Sequence, residues 1–137
     1  MKKLILLSLA VCMLAFAGCS KDDEPKFDYD LALLYGKWRI THVMQNTGNY
    51  LDVTTTVAEQ VFNPTYATFN SDGTYSGSGE FGNGSGTYKT AGKTIITYVG
   101  GEEYLWYDVL SLTGTNAELK MYEKGDDASI LIKVEKQ

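Results

Sequence analysis

Metal-ligating side chains are scarce in this chain, whose 137 residues include one histidine and two cysteines. Zinc, iron–sulfur and haem sites draw on repeated Cys and His, so those sites are excluded, and a multi-ligand metal site would have to be all oxygen. Basic residues are in the minority, 12 Lys and Arg against 17 Asp and Glu, with a sequence pI near 4.8. Binding by neutralisation of phosphates needs clustered Lys and Arg, so nucleic acid is not an expected partner. Catalytic signatures are missing as well. No Gly-x-Ser-x-Gly elbow occurs, and Gly84-Ser85-Gly86 falls short of one. Gly77-Ser78-Gly79-Glu80-Phe81-Gly82 matches G-x-G-x-x-G by letter. A dinucleotide site needs a helix after that run, and here Asn83-Gly84 and another strand follow. Those glycines read instead as a thinned strand, where the sheet bends or another backbone or a ligand approaches closely. Gly92-Lys93-Thr94 ends like a P-loop, but Thr87 stands where its first glycine belongs, so it reads as a hairpin turn. The acidic pairs Glu102-Glu103 and Asp126-Asp127 fall at predicted turns, where solvation accounts for them. The expectation is a protein that is not an enzyme and carries no cofactor.

What is present begins with an address. Lys2 and Lys3 precede an apolar run over 4–17 that is too short to span a bilayer, followed by Gly18-Cys19. This is a secretion signal. Phe16-Ala17-Gly18-Cys19 resembles the lipobox of bacterial lipoproteins, which implies that Cys19 becomes the new N-terminus and carries diacylglyceryl and acyl chains such as palmitate. Several chains on one residue anchor stably where a single chain is marginal. Ser20-Lys21-Asp22-Asp23-Glu24 resembles the acidic export signal of surface lipoproteins in Bacteroidetes-type bacteria. That implies an outer-membrane anchor with the protein facing outward, the alternative being a periplasm-facing anchor on a solvated tether. The chain thus divides into a signal peptide (1–18), a lipidated acidic tether (19–27) and one folded domain (28–137). Cys12 leaves with the signal, so the mature chain forms no internal disulfide, and stability must come from its core.

From residue 35 onward the hydrophobic period is two. Trp38, Ile40, His42 and Met44 alternate with Lys37, Arg39, Thr41 and Val43, which predicts a strand with one inward face. Ser71-Asp72-Gly73 predicts a tight turn between strands at 65–70 and 74–81. Further turns at Asn83-Gly84, Ala91-Gly92, Gly100-Gly101, 113–116 and 125–127 place strands near 85–90, 93–99, 103–112, 117–124 and 128–135. The one helix candidate, 28–35, closes at Gly36. The 45–64 segment reads as a strand near 52–57 plus irregular loop. These eight or nine strands predict an all-β, antiparallel up-and-down barrel with a short N-terminal helix, since closure leaves no unpaired edge.

Gly36-x-Trp38, Thr68-Phe69-Asn70-Ser71-Asp72-Gly73-Thr74-Tyr75, Gly86-Thr87-Tyr88 and Leu110-Ser111-Leu112-Thr113 resemble the lipocalin-like domains of Bacteroidetes lipoproteins, over roughly 31–135. The resemblance implies a lipocalin-like barrel. An eight-stranded barrel is either filled by its own side chains or holds one small ligand. The leading expectation is a small, partly apolar ligand in the interior, with Trp38, Ile40, His42, Phe69, Tyr75, Tyr88 and Trp106 as lining. The alternative is a solid barrel that contacts an envelope protein or a glycan through its surface. Ten Tyr and two Trp fit either. On the 103–112 strand, alternation puts Tyr104, Trp106, Asp108, Leu110 and Leu112 on one face and Leu105, Tyr107 and Val109 on the other. Both are largely apolar, so the outer one must be covered by the N-terminal segment, a loop or a partner.

Overall fold

In a computed structural model, residues 26–80, 83–125 and 127–137 are described. The expected secretion signal, Cys19 and most of the expected tether lie outside them. Nine antiparallel strands follow one another: β1 (Gly36–Met44), β2 (Tyr50–Asp52), β3 (Tyr66–Phe69), β4 (Thr74–Ser78), β5 (Gly84–Ala91), β6 (Thr94–Val99), β7 (Glu102–Leu112), β8 (Asn116–Tyr122) and β9 (Ile130–Lys136). Each of β3 to β9 pairs with its sequence neighbour, β3 also pairs with β1, and β9 returns to β1. Eight strands therefore close a barrel, and β2 flanks the upper half of β1 as an extra strand. Closure satisfies the backbone donors and acceptors that an open sheet would present along its edges.

One local expectation is narrowed and one is corrected. The helix over 28–35 is a single 3-10 turn, Leu31–Leu33, capped by Asp30, whose carboxylate accepts from the Ala32 amide at 3.0 Å. The strand near 52–57 stops at Asp52, because the Asp52 carboxylate accepts from both the amide (2.8 Å) and hydroxyl (2.6 Å) of Thr54 and turns the chain. A short helix, α1 (Thr56–Glu59), follows with Thr55 as N-cap. It is tied to the barrel by Arg39, whose guanidinium meets Glu59 at 2.6 Å.

Three β-bulges decide which side chains enter the barrel. Register shifts occur between Ile40 and His42 on β1, between Ile96 and Tyr98 where β6 meets β7, and between Val109 and Ser111 on β7. One extra residue reverses the facing of all that follows it. On β1, Trp38 and Ile40 point inward, but beyond the bulge Val43 packs against the core while His42 pairs with outward-facing Lys133. On β7, Leu105, Tyr107 and Val109 are buried, Leu110 is bulged out, and Leu112 crosses to the inside. Trp106 stays on the outer face. The bulge opposite Thr97 is held by that residue's fully buried hydroxyl, which donates to the Leu105 carbonyl (2.8 Å) and accepts from the Leu105 amide (2.9 Å).

The end of the barrel at the start of β1 is plugged. Gly36 adopts φ +131°, a conformation that favours glycine, and this turns the chain from the 3-10 segment into β1. Leu34 is buried there, and the Trp38 indole donates to its carbonyl at 2.8 Å. Lys136 of β9 lays its ammonium 5.0 Å from the Trp38 ring and donates to the Leu33 carbonyl at 2.9 Å. The N-terminal segment packs against the core at this end of the barrel. Its Phe27 bridges to Gly92, and the Tyr29 hydroxyl donates to the Val109 carbonyl at 3.3 Å.

Candidate functional site

Four of the seven expected lining residues, Trp38, Ile40, Phe69 and Tyr75, border the central space together with Tyr107 and Val109. Tyr88 is buried in the same core without bordering that space; its hydroxyl donates to the Asn70 carbonyl at 2.8 Å. His42 and Trp106 stand on the outer face: for His42 this correction follows from the β1 bulge, whereas Trp106 alternates with buried Leu105, Tyr107 and Val109 as expected, and its face is the outer of the two.

The free space inside is about 30 Å³. That is room for roughly two water molecules, against roughly 300–1,000 Å³ for a small-molecule pocket. Aromatic rings fill the rest. Phe69 sits at the centre, with the rings of Tyr88, Tyr75 and Tyr107 at 5.1, 5.5 and 6.2 Å. The Tyr75 and Tyr107 phenols hydrogen-bond to each other, which satisfies two polar tips that burial would otherwise strand. Toward the far end of the barrel Gly79 of the glycine run stands at a close backbone approach, and so does Gly86 beyond it. A Cβ on Gly86 would fall 1.9 Å from the Tyr98 carbonyl oxygen, and one on Gly79 2.1 Å from that of Pro64.

Burial raises the pKa of Tyr75, Tyr88 and, most strongly, Tyr107; Tyr122 is pushed up to about 12 by desolvation together with its hydrogen bond to Asp108. The unfolded chain titrates its tyrosines near 10.0. The unfolded state therefore loses these protons first, and the stability they contribute is intact below about pH 10 and lost as pH rises toward the folded values. Far-ultraviolet circular dichroism is expected to show a cooperative alkaline transition above pH 10. Tyr107→Phe should move it to higher pH, and an unmoved transition would contradict this assignment.

On the outside, two surfaces concentrate functional side chains. The first is a groove of about 420 Å³ along the outer faces of β1, β9, β8 and the end of β7, lined mainly by polar groups including His42, Glu118 and Lys133. Here Thr41, His42 and Asp52 have the residue types of a nucleophile, base and acid but not the geometry. The Thr41 hydroxyl donates to the Lys133 carbonyl (3.2 Å), so it accepts from His42 Nδ1 (2.9 Å) rather than giving that nitrogen a proton. Asp52 Oδ2 lies 4.0 Å from Nε2, beyond hydrogen-bond reach. Lys133 instead caps the ring of Tyr50 at 4.5 Å, and Tyr50 meets His42 edge-on. No cluster of three or more potential metal ligands occurs among the described residues.

The second surface runs across β5 to β8, where Lys89, Ile96, Trp106 and Tyr122 are successive cross-strand partners. Ile96, Trp106 and Tyr122 are half-buried, and the Trp106 and Tyr122 rings lie 6.0 Å apart. Both polar tips are pinned by carboxylates. Trp106 Nε1 donates to Glu103 at 3.0 Å, and the Tyr122 hydroxyl donates at 2.9 Å to Asp108, itself buried and also accepting from the Thr94 hydroxyl. The sequence flagged Trp106 as functional but assigned it to the wrong side; Tyr122 was not singled out.

A family model described as a lipocalin-like domain matches residues 34–119 of the chain. No curated protein matches it.

Proposed function

Because the chain belongs to the lipocalin-like domain family, whose members are generally binding domains rather than enzymes, we propose that it is a non-catalytic binding module acting through the outer faces of a solid barrel. The observation that carries this is the interior volume of about 30 Å³. A ligand of drug size would have to displace the Phe69, Tyr75 and Tyr107 rings, each in contact with the others and jointly forming the centre of the core. Lining by apolar side chains still favours an apolar guest over a polar one if any enters, and this is the second reading. Offering apolar guests to the domain separates the two: none should be seated inside, and a guest held one to one in the barrel would establish the second.

The same proposal holds the module at the outer membrane by lipid on Cys19, facing outward on its acidic tether. The support is the run of Lys2-Lys3, the apolar segment, Gly18-Cys19 and the acidic stretch after it. Metabolic labelling with a lipid precursor should mark the wild type and leave Cys19→Ala unmarked. An unlabelled wild type would remove the anchor from the account, and protease shaving of intact cells reads the orientation.

A further inference from the structure

We propose that the protein stands on its membrane with the plugged pole of the barrel down, so that this pole meets the lipid headgroups and the opposite pole is held outward; the inference rests on the Cys19 anchor proposed above. The connections after β3, β5 and β7 lie at the plugged pole with the start of β1, and those after β1, β4, β6 and β8 lie at the other. The chain enters the fold at the plugged pole. Gly92, in the turn after β5, donates to the Lys26 carbonyl at 2.9 Å and accepts from the Asp28 amide at 2.7 Å. Phe27 between them packs against the core, and the Tyr29 hydroxyl is tied to Val109. The polypeptide is therefore part of the barrel from Lys26 onward.

Cys19 stands seven residues before Lys26, and seven residues reach at most about 25 Å at full extension. That reach selects the orientation. From Gly92 to Gly100, β6 climbs the whole wall, about 26 Å of strand. Turning the far pole onto the bilayer would require the tether to be drawn out fully along that wall, the arrangement of greatest entropic cost. With the plugged pole down, the same seven residues need no stretching. Charge points the same way. The far connections and adjoining strand ends carry Glu80, Glu102, Glu103, Glu123 and Asp127 against Lys124, whereas the plugged pole sets Lys26, Lys37, Lys93 and Lys136 against a matching number of carboxylate side chains. An anionic headgroup layer repels the first end and not the second. Apolar contact is also available only at the plugged end: Leu110, next to Val109 near the foot of β7, is 46% exposed, and the described far connections carry no large hydrophobic residue.

The test uses the full lipidated chain, added to preformed vesicles of phosphatidylcholine and phosphatidylglycerol that carry an energy acceptor on their headgroups. The Cys19 sulfur is taken up by the anchor, so a donor dye can be placed on one new cysteine. Lys93→Cys and Gly114→Cys mark the plugged pole, the latter with open space around its side chain, and Asn46→Cys and Lys124→Cys mark the other. Thermal melts confirm that each variant is folded. Energy transfer from both plugged-pole sites is expected to exceed that from both far-pole sites roughly twofold or more, for poles about 25 Å apart. Stronger transfer from the far pole would overturn the proposal while leaving the anchor standing. So would equal transfer from all four sites, the result of a barrel lying on its side with the exposed Val57 and Val61 in lipid. A chain that does not stay with the vesicles, and whose mass shows an unmodified Cys19, fails at the anchor instead and takes the orientation with it.

Discussion

Replacing Trp38 by alanine is expected to remove about 3–5 kcal/mol of folding stability, the usual cost of deleting a buried tryptophan. Domains of this size are stable by only about 5–15 kcal/mol, so the variant should be largely unfolded in mild urea. Three losses coincide at this residue. The ring is buried at the plugged end, its Nε1 bond to the Leu34 carbonyl holds the 3-10 segment in place, and it is the surface over which Lys136 crosses to reach the Leu33 carbonyl. Removing the indole therefore opens a cavity and also frees the segment that caps the barrel. Trp38→Phe keeps much of the ring but not the hydrogen bond, and should cost clearly less. The check is urea denaturation followed by far-ultraviolet circular dichroism; an alanine variant within about 1 kcal/mol of wild type would show that this end is not closed as described.

Gly86→Ala is expected to be as damaging although it adds only a methyl group. Its Cβ would meet the Tyr98 carbonyl oxygen at 1.9 Å, the Tyr98 carbonyl carbon at 3.0 Å and the Val99 Cα at 3.3 Å. All three are backbone atoms of β6, and Gly86 itself pairs with Val99. No rotamer change relieves such a contact, so the β5–β6 ladder must separate or the barrel must distort, at about 3 kcal/mol or more, the upper range for an overpacked site. Gly114→Ala is the matched control, since nothing lies within 4 Å of its added carbon. A Gly86→Ala melting temperature equal to that of Gly114→Ala would contradict the close approach of the two strands.

Much of this barrel was legible because turn residues punctuate it. The turns at Ser71-Asp72-Gly73, Ala91-Gly92 and Gly100-Gly101 each join strands that pair in the structure. Alternation likewise put Trp38, Ile40, Phe69 and Tyr75 inside. It failed for His42, and for Leu112 relative to Trp106, because period-two reasoning assumes an unbroken strand, and a bulge has no residue type that marks it reliably; Trp106 was misplaced because both faces of its strand are largely apolar and alternation does not say which is inner. Thr97 shows why: its hydroxyl serves the Leu105 backbone across the ladder, a role invisible until the partner strand is known. The 45–64 segment misled through its β-branched residues; the Asp52–Thr54 turn and the Thr55 cap outweigh their strand preference. Lys136 over Trp38 joins residues at opposite ends of the domain, so only chain closure brings them together.

Whether the interior is solid decides where this protein binds. Native mass spectrometry of the chain from Lys21 to Gln137, exposed to a panel of fatty acids, bile acids and haem, addresses it most directly. The account predicts the mass of the bare polypeptide throughout, with no guest retained at one-to-one stoichiometry. A retained apolar guest whose binding is weakened by substitution at Tyr75 or Tyr107, and not at Trp106, would show that the barrel opens and would contradict the account.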